Sequence, residues 1–120
     1  MNGFDGLHLM GNLHGCAGAE DLLREVDRLR EHCLSKVEEA GLSAVGECFH
    51  QFGGKGGVTG VVVLAESHIS IHTWPEKNYV TLDVFVCNMH SNNRNKAMRL
   101  FNALVFPFNP AEKRLYRVER

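Results

Sequence analysis

The sequence predicts an α+β fold: a two-layer α/β sandwich with a mainly antiparallel sheet and two helices on one face. Three observations predict it. Three strand-like segments follow in quick succession between Val58 and Cys87, joined by tight turns, as antiparallel neighbours are. Within them aliphatic and polar side chains alternate, so one sheet face is apolar and has to be covered. One helix-like segment precedes this block and another follows it, which supplies the cover without the strict strand–helix alternation of a parallel sheet.

In chain order, Phe4–Leu13 alternates loosely and reads as the first strand. Ala19–Ala40 reads as one helix: Leu22, Val26, Leu29, Cys33 and Val37 recur at three- and four-residue steps and fall on one stripe. Glu20 and Asp21 suit the positive N-terminal end of that helix, and Gly41 is a natural stop. Leu42–Phe52 reads as a strand with Ala44 and Cys48 among its inward residues. The run Gly53-Gly54-Lys55-Gly56-Gly57 is a turn; it superficially resembles a phosphate loop but lacks the Gly-Lys-Ser/Thr that such a loop requires. The strands Val58–Ala65, His68–Trp74 and Tyr79–Cys87 follow, the last two joined through Pro75-Glu76-Lys77-Asn78. Ser91 is the expected N-cap of a second helix, with Ala97, Phe101, Leu104 and Val105 inward and Pro107 at its end. The tail Ala111–Arg120, rich in Arg and Lys, adds a short edge strand.

The chain has 120 residues, the size of one compact domain spanning 1–120. A domain this small buries only part of its surface, so an oligomer that shares a core or a site is expected. Its formal net charge of -1 gives no reason to expect nucleic acid or membrane partners. The longest apolar run, Val61–Ala65, is too short to cross a bilayer, and the N-terminal residues do not read as a signal peptide. A cytoplasmic protein is therefore expected. Cys16, Cys33, Cys48 and Cys87 form no CxxC pair, so neither a zinc knuckle nor a disulfide framework is indicated.

The strand alternation also sorts the polar residues. Val80, Leu82, Val84 and Val86 share one face with Ile69 and Ile71 of the strand before, while Tyr79, Thr81, Asp83, Phe85 and Cys87 share the other with His68, Ser70, His72 and Trp74. A solvated face is the usual reason for such a pattern. Trp74, Phe85 and Cys87 are poor choices for plain solvent exposure, and a hydroxyl, an imidazole and a thiol on one face make the mixture a reactive site needs. His68 and His72 lie four apart on that face, but no third ligand accompanies them, so no metal is expected.

The segment Gly57–Cys87, and above all Glu66-Ser67-His68-Ile69-Ser70-Ile71-His72-Thr73-Trp74-Pro75-Glu76, closely resembles the core of the prokaryotic S-adenosylmethionine decarboxylases, a family of pyruvoyl-dependent, self-processing proenzymes. Gly6-Leu7-His8-Leu9 and Phe49-His50-Gln51-Phe52 agree more loosely. The resemblance implies cleavage between Glu66 and Ser67 into 1–66 and 67–120, with Ser67 becoming a covalent pyruvoyl group that takes the place of pyridoxal phosphate and binds the substrate amine as a Schiff base. It implies that Thr59 stabilises the oxyanion of processing, that His72 is the processing base and that Cys87 returns a proton to the product carbanion. It assigns Glu76 to the ribose hydroxyls, with Phe52 or Trp74 available to stack on adenine. It further implies decarboxylation of S-adenosylmethionine for spermidine biosynthesis, and a homodimer of processed protomers.

Gly53–Gly56, Asn12 and Asn88 depart from the residues common in relatives. They surround the expected substrate rather than the cleavage apparatus. An arginine or ornithine decarboxylase on the same scaffold is therefore the alternative reading. An unprocessed binding or regulatory homologue is the alternative of another class, and the intact motif argues against it.

Overall fold

The computed structural model describes residues 5–54 and 56–120. Phe4, the expected first residue of the first strand, and Lys55 of the glycine-rich turn lie outside the described residues. The strands are β1 (Gly6–Cys16), β2 (Ala44–Gln51), β3 (Val58–Leu64), β4 (Ser67–Trp74), β5 (Tyr79–Cys87) and β6 (Pro110–Glu119). The helices are α1 (Glu20–Arg24), α2 (Val26–Glu39) and α3 (Arg94–Val105), with short 3-10 turns at Pro75–Lys77 and Phe106–Phe108. The strands form one sheet in the order β2-β3-β4-β5-β1-β6, and each neighbouring pair is antiparallel.

The α+β sandwich expected from the sequence is the architecture found. Leu7, Leu9 and Leu13 of β1, Val58 and Val62 of β3, Ile69 and Ile71 of β4, and Val80, Leu82, Val84 and Val86 of β5 are buried on one sheet face. Leu29, Cys33 and Val37 of α2 and Ala97, Leu100 and Leu104 of α3 are buried in the same core. Each contributor places its apolar residues at its own period, two along a strand and 3.6 along a helix, so the layers meet without burying charge. Among the described residues no helix is long and apolar enough to cross a membrane.

The structure corrects four local expectations. The helix read as Ala19–Ala40 is broken at Glu25, whose φ of -115 and ψ of 114 are extended. The carbonyl of Leu23, which a continuous helix would use four residues on, instead accepts the hydroxyl of Thr73 at 2.7 Å. Gln51 of β2 then caps the second piece, its Oε1 accepting the Val26 N–H at 2.8 Å. The far end behaves as expected. Gly41 has a φ of +79, and its N–H and that of Leu42 donate to Glu38 O and Val37 O, the paired closure that favours glycine at this position.

Ala44 and Cys48, expected inward, are both exposed. Strand β2 is an edge strand whose other face turns inward. There Arg30 reaches Glu47 at 2.8 Å and lies over the Phe49 ring. Helix α2 packs against that edge through Arg30, so its contacts are amphipathic instead of aliphatic. Helix α3 begins at Arg94 with Asn93 preceding it, and Ser91 donates its hydroxyl to Asn93 Oδ1 rather than to the helix. The C-terminal strand, expected to be short, is ten residues long and pairs with nearly the whole of β1.

Candidate active site

Ser67 opens β4 directly after the two-residue turn Ala65–Glu66, with Leu64 and Ser67 as the closing pair of the β3–β4 hairpin. Its side chain is only 9% exposed, and its Oγ accepts the backbone N–H of Cys87 at 3.0 Å. Cys87 ends β5, and its Sγ accepts the N–H of Met89 at 3.5 Å. The loop beyond is tied down by asparagines: Asn93 Nδ2 donates to the Cys87 carbonyl at 2.8 Å, and Asn88 Oδ1 accepts the Asn93 N–H at 2.8 Å. Asn88 therefore holds the strand end that carries Cys87. Ser67, His68, Cys87, Glu66, Phe85, Met89 and Arg120 are among the residues that line a cavity of about 380 Å³ at this end of the sheet. The Arg120 guanidinium rests 5.1 Å from the Phe85 ring, a cation held by an aromatic face rather than by a carboxylate.

A second cluster occupies the opposite end of the open sheet face. Thr59 of β3 and His72 of β4 are cross-strand partners, and the Thr59 hydroxyl lies 3.0 Å from His72 Nδ1. His72, Trp74, Tyr79 and His14 form a row of rings with successive centroids 5.9, 5.3 and 4.6 Å apart. Phe52 is 49% exposed beyond the end of β2, edge-on to His50 at 4.7 Å. Glu76 is exposed on the 3-10 turn after β4.

The residues singled out from the sequence thus fall into two groups. Ser67 and Cys87 stand together, whereas Thr59, His72, Trp74, Phe52 and Glu76 gather at the other end. Five positions along one strand separate Ser67 from His72, which is about 17 Å at the rise of an extended chain. The odd spacing also sends the two side chains to opposite faces of β4: Ser67 is buried with Ile69 and Ile71, and His72 is on the open face. His72 does share the open face with Cys87 by strand parity.

Between the clusters lies His8. Its Nε2 is buried without a hydrogen-bond partner among the described residues and sits 3.8 Å from Asp83 Oδ1. Burial holds the His8 imidazole below its usual pKa, Asp83 opposes the shift, and Arg120 and His68 reinforce it. Ser70 donates to the other Asp83 oxygen at 3.2 Å.

Sequence reasoning missed Arg120, Met89 and His14. His14 was detectable: continuing the alternation of β1 past Leu13 puts it opposite Tyr79, across the strand pair that matches Leu13 with Val80. Arg120 and Met89 reach the cavity only through tertiary pairing, β6 beside β1 and the loop after β5, for which no local pattern stands.

The family described as S-adenosylmethionine decarboxylase matches residues 7–120 of the chain. An S-adenosylmethionine decarboxylase proenzyme of Archaeoglobus fulgidus is 36% identical over 115 residues, covering 96% of both chains. One from Aquifex aeolicus is 39% identical over 105 residues, covering 88% of this chain and 73% of its own. The crystal structure of the adenosylmethionine decarboxylase from Aquifex aeolicus superposes with a TM-score of 0.85 at 35% identity, covering 98% of this chain and 91% of that one.

Proposed function

The chain belongs to the S-adenosylmethionine decarboxylase family, and we propose that it cleaves itself between Glu66 and Ser67 and then decarboxylates S-adenosylmethionine through the group that Ser67 becomes. The observation that carries the proposal is the placement of Ser67. Its hydroxyl is nearly buried, held by the Cys87 N–H, and adjoins a cavity large enough for a small substrate.

Cleavage begins when Ser67 Oγ attacks the Glu66 carbonyl carbon. The C–O bond forms, the C–N bond of the Glu66–Ser67 amide breaks, and the hydroxyl proton passes to the freed nitrogen. Loss of the Ser67 Cα proton to a base then breaks the Cβ–Oγ bond, and Glu66 departs as a carboxylate. Water displaces ammonia from the dehydroalanine left at position 67. The pyruvoyl group so formed supplies a carbonyl electron sink for decarboxylation. In this scheme Cys87 is the proton donor, because its thiol belongs to the same cavity wall as Ser67. Thr59, whose hydroxyl lies 3.0 Å from Nδ1 of the processing base His72, is the donor to the oxyanion of processing. Glu76 accepts the ribose hydroxyls, and Phe52 or Trp74 carries the adenine.

A separation of about 17 Å is too great for His72 to serve the Ser67 of its own chain. We therefore propose a homodimer in which two copies meet through the open sheet face, and the partner's His72 and the partner's Thr59 complete the site at Ser67.

The test is mass spectrometry of the purified protein followed by an assay of carboxyl-labelled S-adenosylmethionine, arginine and ornithine side by side. The expected outcome is fragments of 66 and 54 residues, the second blocked to Edman sequencing, with carbon dioxide released from S-adenosylmethionine. An intact, inactive chain would make the protein an unprocessed binding homologue. Release from arginine or ornithine alone would keep the chemistry and change the substrate.

A further inference from the structure

Among the described residues, three non-glycine residues have positive φ: Glu66 at 59°, Asn78 at 48° and Asn109 at 43°. Asn78 and Asn109 each close a 3-10 turn in the left-handed region, a conformation that asparagine tolerates better than most residues. Glu66 has no such dispensation. It occupies the second position of the two-residue turn joining β3 and β4, where positive φ ordinarily selects glycine or asparagine. A straight-chain residue there is strained by its Cβ against its own backbone. Little in its side-chain contacts explains the choice, since among the described residues the carboxylate pairs with the largely exposed His90 alone, at 3.5 Å. The strained residue is also the one whose carbonyl precedes Ser67.

We propose that the left-handed backbone of Glu66 is a built-in driver of self-cleavage, a strain held by the closed hairpin and released as the Glu66–Ser67 amide breaks. This rests on the cleavage reading above and deepens it. When Ser67 Oγ bonds to the Glu66 carbonyl carbon and the C–N bond breaks, the chain path from that carbon to Ser67 Cα runs through Oγ and Cβ instead of through one nitrogen, and the hydroxyl proton goes to that nitrogen. The turn lengthens by one atom and Glu66 is freed from its tight closure. The elimination that follows frees it altogether. The β3–β4 ladder from Thr59↔His72 to Leu64↔Ser67 keeps the strain from relaxing earlier by fixing both ends of the turn.

Strain and side-chain chemistry are separated by a substitution series. Glu66→Gly removes both the strain and the carboxylate, Glu66→Ala removes only the carboxylate, and Glu66→Asn lowers the strain. Each is made once with Ser67 present, to follow cleavage on a denaturing gel, and once with Ser67→Ala, to record the melting temperature of the uncut chain. The expected result is opposite ordering. Glu66→Gly should melt highest and cleave slowest, about five- to thirtyfold more slowly than Glu66→Ala if the strain usual for such a residue is released in the slow step, with Glu66→Asn between them. A residue that merely supported the fold would lose cleavage and stability together. Equal or faster cleavage by Glu66→Gly than by Glu66→Ala overturns the proposal, as does a melting temperature for the glycine chain no higher than for the alanine chain. Absence of cleavage in the unsubstituted protein would instead overturn the underlying reading.

Discussion

Ser67 and Cys87 show how a local motif acquires its surroundings. The ESHISIHTWPE run marks Ser67, but the partner that holds its hydroxyl is a backbone N–H twenty residues on, positioned by the β4–β5 register and invisible to side-chain pattern. That distinction makes a prediction. Cys87→Ala keeps the backbone donor to Ser67 Oγ and removes only the thiol, so the chain should still cleave. Decarboxylation should fall by roughly 10²–10⁴-fold, the usual contribution of a positioned proton donor. Mass spectrometry and carbon dioxide release read the two steps independently, and full turnover in the variant would remove Cys87 from the chemistry. The residues that carry the proposed chemistry could be named from the motif and the family resemblance. Their division into two clusters was not legible, because a motif read as one unit hides the length of extended strand between Ser67 and His72.

At the scale of elements, period and turn chemistry predicted the layers correctly where one element's own residues decide the outcome, as in the aliphatic faces of β4 and β5. The failures occur where a partner decides. The break at Glu25 depends on Thr73, which is 5% exposed and bonds both the Leu23 carbonyl and the Val58 N–H. The contact between α2 and α3 carries a titratable group that the mechanism does not use. His32 Nε2 lies 3.3 Å from the Leu104 carbonyl, and burial is the main cause that lowers the His32 pKa, outweighing the Leu104 hydrogen bond. A histidine with a depressed folded pKa binds its proton more readily in the unfolded chain, so stability is retained above the unfolded value and lost as pH falls from it towards the folded value. The melting temperature should therefore drop between about pH 7 and pH 5, and His32→Gln should flatten part of that slope while still offering a donor to Leu104. An unchanged slope in the variant would place the acid sensitivity elsewhere.

The whole molecule has one covered sheet face and one bare one. The helices take the aliphatic side. The other presents His8, His68, His72, Trp74, Tyr79, Asp83 and Phe85 in its middle, half-buried by one another, and Val63, Tyr116 and Val118 at 45%, 52% and 43% exposure. Aromatic and aliphatic side chains on an open face of this breadth belong to an interface more often than to solvent. The proposed homodimer would cover it with a second copy. Ser67 and Cys87 stand at one end of the sheet beside His68, the proposed processing base His72 stands with Thr59 at the other, and a second copy packed in reverse would bring each pair to its complement, as a two-fold axis requires. Complementation decides this. The Ser67→Ala chain has no hydroxyl and the His72→Ala chain has no base, so neither alone should yield the 54-residue fragment. Coexpressed, the His72→Ala chain should be cleaved in the mixed pairs, because its Ser67 meets the partner's His72, while the Ser67→Ala chain stays whole. If each site were built from one chain, mixing would rescue nothing and both chains would remain intact. Only the shared arrangement makes two inactive chains produce one cleaved product, and only from the chain that kept its serine.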